Sequence, residues 1–160
     1  MAHVTMELNS DDHRILSLLQ TDGRISTVEM ARRAHMSETT CLRRTRALEA
    51  AGIIRGYHAD IDFEAAGFGV MAFIQVTIDQ RIEAGSDSFK DAILRENWVL
   101  ECYSLSGAYD HLMKVIAPDN KALSDFILKR LAGYKSVRDF QTLFVLDTVK
   151  EGQAVRFGEG

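Results

Sequence analysis

Two helix-start signals stand close together near the N-terminus, and their spacing constrains the fold more than any other feature of the chain. The run Ser26-Thr27-Val28-Glu29 reads as a capping box, in which the serine hydroxyl accepts from the Glu29 N–H and the glutamate returns a bond to the cap. A second cap, Ser37, opens a run that Gly52 closes, since glycine takes the left-handed position that stops helices. Only His35-Met36 separates the two helices. Helices so joined must cross, and each needs an apolar inner face. The spacing predicts Val28, Ala31 and Ala34 inside on the first, and Cys41, Leu42, Thr45 and Leu48 inside on the second. Before them, DDHRILSLLQTDG reads as a support helix capped by Ser10, with Ile15, Leu16 and Leu19 inward. Asp11 and Asp12 fall in its first turn, where the helix dipole favours anions. A support helix followed by a short-turned pair is a helix-turn-helix pattern. It fills residues 1–56.

The outer side of the second capped helix is where chemistry enters. Thr39, Thr40, Arg43, Arg44 and Arg46 fall away from the apolar row, and Arg32 and Arg33 lie on the helix before it. Arginine matches a guanine edge or a phosphate with two donors, and threonine suits phosphates and base edges. The bland alternative is a solvated helix face. A net charge of −4 over 160 residues favours that alternative at first sight. Residues 1–60, however, hold eight arginines against eight acids, so the deficit belongs to the later part. From Arg24 to Arg46 six arginines face two glutamates, a local +4. Local basic charge on the second helix of a capped pair is how a small nucleic-acid contact surface looks. The expected DNA-binding set is Ser26, Arg32, Arg33, Ser37, Thr39, Thr40, Arg43, Arg44 and Arg46. Glu38 and Glu49 count against it, since each repels phosphate.

Residues 57–69 read as a linker, extended at first and punctuated by Gly56, Gly67 and Gly69. A second unit, 70–150, then alternates strands and helices. Strands are expected over 70–79, 98–105, 109–117 and 137–149, the middle two forming a hairpin around Ser106-Gly107-Ala108. Helices are expected over 86–96, with Phe89, Ile93 and Leu94 inward, and 119–131, with Leu123, Phe126, Ile127 and Leu131 inward. The order β-α-β-β-α-β is the ferredoxin-like arrangement. The whole is therefore an α+β chain, a helix-turn-helix domain joined to a ferredoxin-like domain. Residues 151–160 read as a loose tail.

Several functions find no support. No apolar run approaches the ~20 residues a membrane helix needs, and the start lacks a secretory pattern. Cys41 and Cys102 stand apart and outside any C-x-x-C; both read as structural in a reducing, cytoplasmic setting. The five histidines show no ligand spacing, and no nucleophile or phosphate-loop motif occurs, so neither an enzyme, a metal site nor a cofactor is expected. The hairpin could hold a small zwitterion, with open N–H groups at Gly107, a ring at Tyr109 and a carboxylate at Asp110. On these residues alone a plain β-turn is the better reading.

The full pattern resembles the Lrp/AsnC family of feast/famine transcription regulators. The resemblance is carried by Leu8-x-x-x-Asp12-x-x-Ile15-Leu16, Asp22-Gly23-Arg24-Ile25-Ser26, Met36-Ser37, Arg43-Arg44, Leu48-Glu49 and Gly52-Ile53-Ile54-x-Gly56-Tyr57. Further on it rests on Leu100-Glu101-Cys102-Tyr103, Ser106-Gly107-Ala108-Tyr109-Asp110, Lys114-Val115 and Phe144-Val145-Leu146. The resemblance implies a DNA-binding head, a domain that senses an amino acid, and homodimers that pair through their sheets and assemble further, commonly to octamers. It implies an effector site at Ser106, Gly107, Ala108, Tyr109 and Asp110, with Thr142 to Val145 alongside. Two departures stand out: Ala108 replaces an acidic residue common in relatives, and Leu131-Ala132-Gly133-Tyr134 replaces a Leu-Pro-Gly-Val. The function expected is a sequence-specific regulator that binds double-stranded DNA and answers to a small amino acid or related metabolite. The alternative is an amino-acid-binding module that acts through protein contacts. RNA binding ranks below both, because the aromatic motif of RNA-reading sheets is missing.

Overall fold

The computed structural model describes residues 6–79, 81, 89–152, 155 and 157. The chain forms two compact units. One runs to Asp60 and takes in the residues from Lys150 onward; the other is Ile61–Val149.

The first unit holds three helices, α1 Ser10–Thr21, α2 Thr27–Arg33 and α3 Glu38–Ala50. The cap of α1 is Asn9 rather than Ser10. Its side chain accepts from the N–H groups of Asp11 and Asp12, and the Asp12 carboxylate accepts from the Asn9 N–H, a reciprocal capping box. The box expected at Ser26 is only half made: Ser26 Oγ accepts from the Glu29 N–H at 3.2 Å, but the Glu29 carboxylate turns to Arg32. Ile15, Leu16, Met30, Ala31, Cys41 and Leu48 form the core. Two residues expected in it stay outside, Val28 at 58% exposed and Leu42 at 40%. Met30 takes the inward place that periodicity assigned to Val28.

The C-terminal ends of α2 and α3 are both Schellman motifs. At α3, Gly52 (φ 70°) donates to Glu49 C=O and Ile53 to Leu48 C=O. At α2, His35 (φ 55°) donates to Arg32 C=O and Met36 to Ala31 C=O. A histidine therefore stands where glycine is the unstrained choice.

The expected loose tail is not loose where it is described. Phe157 stacks on His13 with ring centroids 5.5 Å apart and packs against the helical core. The Val155 backbone exchanges two hydrogen bonds with the Gln20 side chain, at 2.8 and 3.3 Å. The run 53–62, expected to be extended and strand-like, joins no ladder.

The second unit is a four-stranded antiparallel sheet, β1 Val70–Ile78, β2 Val99–Ser104, β3 His111–Ala117 and β4 Val137–Phe144, in the order β2-β3-β1-β4. Helices α4 Phe89–Ile93 and α5 Asn120–Lys129 cover one face. Residues 86–88 of the expected first helix lie outside the described residues. The strand periodicity is clean in β1, where Ala72, Ile74, Val76 and Ile78 are buried against Phe89, Ile93, Leu123 and Phe126. Leu94, expected inside, is 85% exposed, because α4 ends at Ile93. β4 stops at Phe144 instead of Val149, leaving Leu146 and Val149 exposed.

The departure at Leu131–Tyr134 has a structural counterpart. Leu131–Gly133 form a single 3₁₀ turn, and the Tyr134 hydroxyl donates to the buried Glu96 at 2.6 Å. The Arg130 guanidinium sits 2.5 Å from the other Glu96 oxygen. Burial, then the Glu96 hydrogen bond, push the Tyr134 phenol up to about 12.

Candidate nucleic-acid interface and effector site

The helix-turn-helix sorts its arginines into two classes. Arg44 points inward, against the expectation of an outward face. Its Nη1 donates to Oδ1 of Asp12 at 3.1 Å, and its Nε lies 3.3 Å from Asp11. Asp12 is wholly buried and the Arg44 side chain is only 20% exposed. Asp11 also accepts from Arg14 Nη2 at 2.8 Å, while Arg14 Nη1 donates to the Ala34 carbonyl at 2.7 Å. Two arginines and two aspartates thus tie α1 to the C-terminal end of α2 and to the middle of α3. Residue spacing gave the two carboxylates a dipole role; their pairing with Arg44 of α3 was invisible to it.

Arg33, Arg43 and Arg46 are exposed and have no hydrogen bond or ion pair among the described residues. Arg32 is exposed too, but forks onto Glu29 through Nε and Nη2. That contact holds the Glu29 carboxyl below, and the Arg32 guanidinium above, their ordinary ranges. Thr39 is exposed. Ser37 Oγ caps α3 by accepting from the Thr40 N–H at 3.2 Å and donates to Thr40 Oγ1 at 2.9 Å, so both hydroxyls are engaged within the chain. Ser26 serves as a cap in the same way. Thr45 is buried with its hydroxyl on the Cys41 carbonyl, and burial pushes the Cys41 thiol up, as suits a core residue. Facing outward along α3 are Glu38 in the first turn, Thr39, Leu42, Arg43 and Arg46, and Glu49 and Ala50 in the last turn. The Tyr57 hydroxyl donates to Glu49 at 2.9 Å, which occupies one of the two acids that would repel phosphate.

In the sheet unit, the loop between β2 and β3 runs from Leu105 to Asp110, closed by Leu105 N–H donating to Asp110 C=O at 2.8 Å. Ser106, Gly107 and Ala108 are exposed, and a Cβ on Gly107 would meet nothing within 4 Å. The Asp110 carboxylate is engaged within the chain: its Oδ2 accepts from the Ile78 N–H at 2.8 Å, while the Asp110 N–H donates to Val76 C=O. It closes the end of β1. Tyr109 donates to Gln141 at 2.9 Å. Thr142 is in register with the core-facing Ile74, and Gln141 with Gln75, so the two lie on opposite faces of β4. The single chain therefore brings Gln141, not Thr142, to Tyr109. Sequence reasoning missed Gln141, and no local pattern marks it.

The uncovered face of the sheet carries Met71, Phe73, Leu112, Leu143 and Tyr103, with Glu101 accepting from the Tyr103 hydroxyl. A cleft of about 430 Å³ opens elsewhere, beside Trp98, Ala122 and Phe126. It lies at the far end of β2 from the loop, and its cations are neutralised internally, Lys121 and Lys129 by Asp125 and Arg130 by Glu96. Among the described residues no cluster of metal-binding side chains occurs, and no helix is long and apolar enough to cross a membrane.

Comparison with known proteins agrees with this division. Residues 8–49 match an AsnC-type helix-turn-helix domain and residues 71–155 an Lrp/AsnC ligand binding domain. A leucine-responsive regulatory protein of Rhizobium meliloti is 35% identical over 148 residues, covering 92% of this chain and 95% of the relative. A transcriptional regulator of Neisseria meningitidis, solved as a complex with L-Met, superposes with a TM-score of 0.85 at 37% identity, covering 91% of this chain and 94% of that one. The leucine response regulatory protein of Mycobacterium tuberculosis gives 0.80 at 30% identity, over 92% and 99% of the two chains.

Proposed function

Since this chain belongs to the Lrp/AsnC family of transcriptional regulators, with a helix-turn-helix DNA-binding domain and a ligand-binding domain, we propose that α3 reads operator DNA through Thr39, Arg43 and Arg46, with Arg32 and Arg33 on phosphates. The observation that carries this is the sorting of the arginines: Arg43 and Arg46 are unpaired and outward while Arg44 is held by buried carboxylates. In this reading Ser26, Ser37 and Thr40, part of the set expected from the sequence, shape the helix ends rather than touch bases. A small amino acid modulates binding. Support comes from the ligand-binding family match and from the methionine carried by the Neisseria regulator. The loop at Ser106, Gly107 and Ala108 offers the open backbone for that ligand, with Tyr109 beside it and Asp110 as the strut that sets its shape. Two copies pair through the uncovered sheet faces, whose Phe73, Leu112 and Leu143 otherwise meet water; dimers then assemble further. The alternative of a module acting through protein contacts alone has no observation in its favour.

The test is selection of genomic fragments by the full-length protein, with each amino acid in turn, followed by salt titration of the best fragment. Arg43→Ala and Arg46→Ala should weaken binding and make its salt slope shallower by about one each where the arginine meets a phosphate. Binding unchanged by both substitutions would remove α3 as the reading helix.

A further inference from the structure

We infer that Leu42 is a specificity-determining residue of α3, one that recognises the C5 methyl group of a thymine in the operator's major groove. The inference rests on the reading of α3 as the DNA-facing helix. Periodicity assigned Leu42 to the core, yet 40% of it is exposed while its sequence neighbour Cys41 is fully buried. An isolated exposed leucine is ordinary on a protein surface. Its position is what matters here. At 3.6 residues per turn, Leu42 lies roughly 60° from Thr39 and roughly 40° from Arg46 around the helix. It therefore stands within the row of side chains that would enter the groove.

Its flank narrows the choice of contact. Glu38, exposed in the first turn of α3, is roughly 40° from Leu42 on the side away from Arg43. An anion and a leucine are both poor partners for phosphate, whereas Arg43 on the other flank is a good one. That asymmetry sets the Leu42 side over the groove floor and the Arg43 side toward the backbone. A leucine offers no hydrogen bond to a base edge. The thymine methyl is the apolar group that the major groove displays. Arg46 follows Leu42 by about 6 Å along the helix axis, about two base-pair steps for a helix lying along the groove. The thymine is thus expected within two pairs of the base or phosphate that Arg46 contacts.

The experiment replaces each thymine of the selected operator, one at a time, by deoxyuridine, which lacks only the methyl group. Full-length wild type, Leu42→Ala and Leu42→Met are compared by gel shift. The exposure of Leu42 keeps both variants folded, which circular dichroism verifies. For the wild type, one thymine per half-site should lose about fourfold in affinity on demethylation, the effect of burying one methyl-sized group. Leu42→Met should retain that loss, and Leu42→Ala should abolish it while still binding the operator. If Leu42→Ala shows the same demethylation profile as wild type, or no thymine responds in wild type, the inference fails while the DNA-binding reading stands. If no fragment is selected at all, both fail.

Discussion

Replacing Arg44 by alanine separates a structural arginine from the reading arginines beside it. In the native unit the wholly buried Asp12 carboxylate receives Arg44 Nη1 at 3.1 Å and the Asn9 N–H at 3.0 Å. Without Arg44 the charge keeps only the backbone donor. Stripping a buried ion pair of one partner costs about 3–5 kcal/mol. Because the Arg44 side chain is 20% exposed, water reaches the vacated space, and about 2–3 kcal/mol is the better figure. Asp11 loses less, since Arg14 stays on it. For a unit of this size, that corresponds to a fall in melting temperature of roughly 10–20 °C. The assay is thermal unfolding followed by circular dichroism, run beside Arg43→Ala. The latter should melt within ~2 °C of wild type, as an exposed substitution does. A second variant carries Asp12→Asn together with Arg44→Ala. It retains an acceptor for Asn9 but no buried charge, so it should recover part of the loss. If Arg44→Ala melted like wild type and lost DNA affinity as Arg43→Ala does, the pairing would be a surface contact and the sorting of the arginines would be wrong.

Three further outcomes are expected. Tyr134→Phe should cost about 1–2 kcal/mol at neutral pH by leaving Glu96 short of a donor. Tyr134 is raised to about 12 from an ordinary 10, so between those values the unfolded chain has released a proton that the folded chain keeps. Stability must therefore fall as pH rises through that window, and Tyr134→Phe should flatten part of the fall in urea titrations from pH 9 to 12; an unchanged slope contradicts the pairing. His35→Gly should raise stability by about 0.5–1 kcal/mol, because relief of the left-handed strain exceeds the entropy that glycine adds to the unfolded state, and urea midpoints measure it. Phe157→Ala should lower the melting point of the helical unit, by about 1–2 kcal/mol for a half-buried ring, and speed proteolysis near the C-terminus; equal rates would mean that the tail adds nothing.

Much of this protein was legible in its sequence, for reasons that are local. Ser37 and Gly52 bound α3 because capping and the left-handed stop involve backbone groups a few residues away. The β-forming run at 70–79 and the β-α-β-β-α-β order announced the sheet unit, since residue propensity and connection length are properties of single segments; which side chains face the core became visible only in the folded sheet. The family motifs, spread over nearly the whole chain, pointed to both domains. Tertiary structure decided the rest. Helix periodicity places Leu42 near the apolar row but cannot say how wide a stripe the neighbouring helices cover; the answer leaves Leu42 outside and brings Met30 in. Arg43 and Arg44 are adjacent and chemically identical, yet one is a free cation and the other is bound to carboxylates some thirty residues earlier. Asp110, a loop residue that reads locally as a turn carboxylate, accepts from the N–H of Ile78 at the end of β1, a partner 32 residues earlier. Each of these outcomes depends on which groups distant in sequence lie within hydrogen-bonding or van der Waals reach, and only the packed chain determines that.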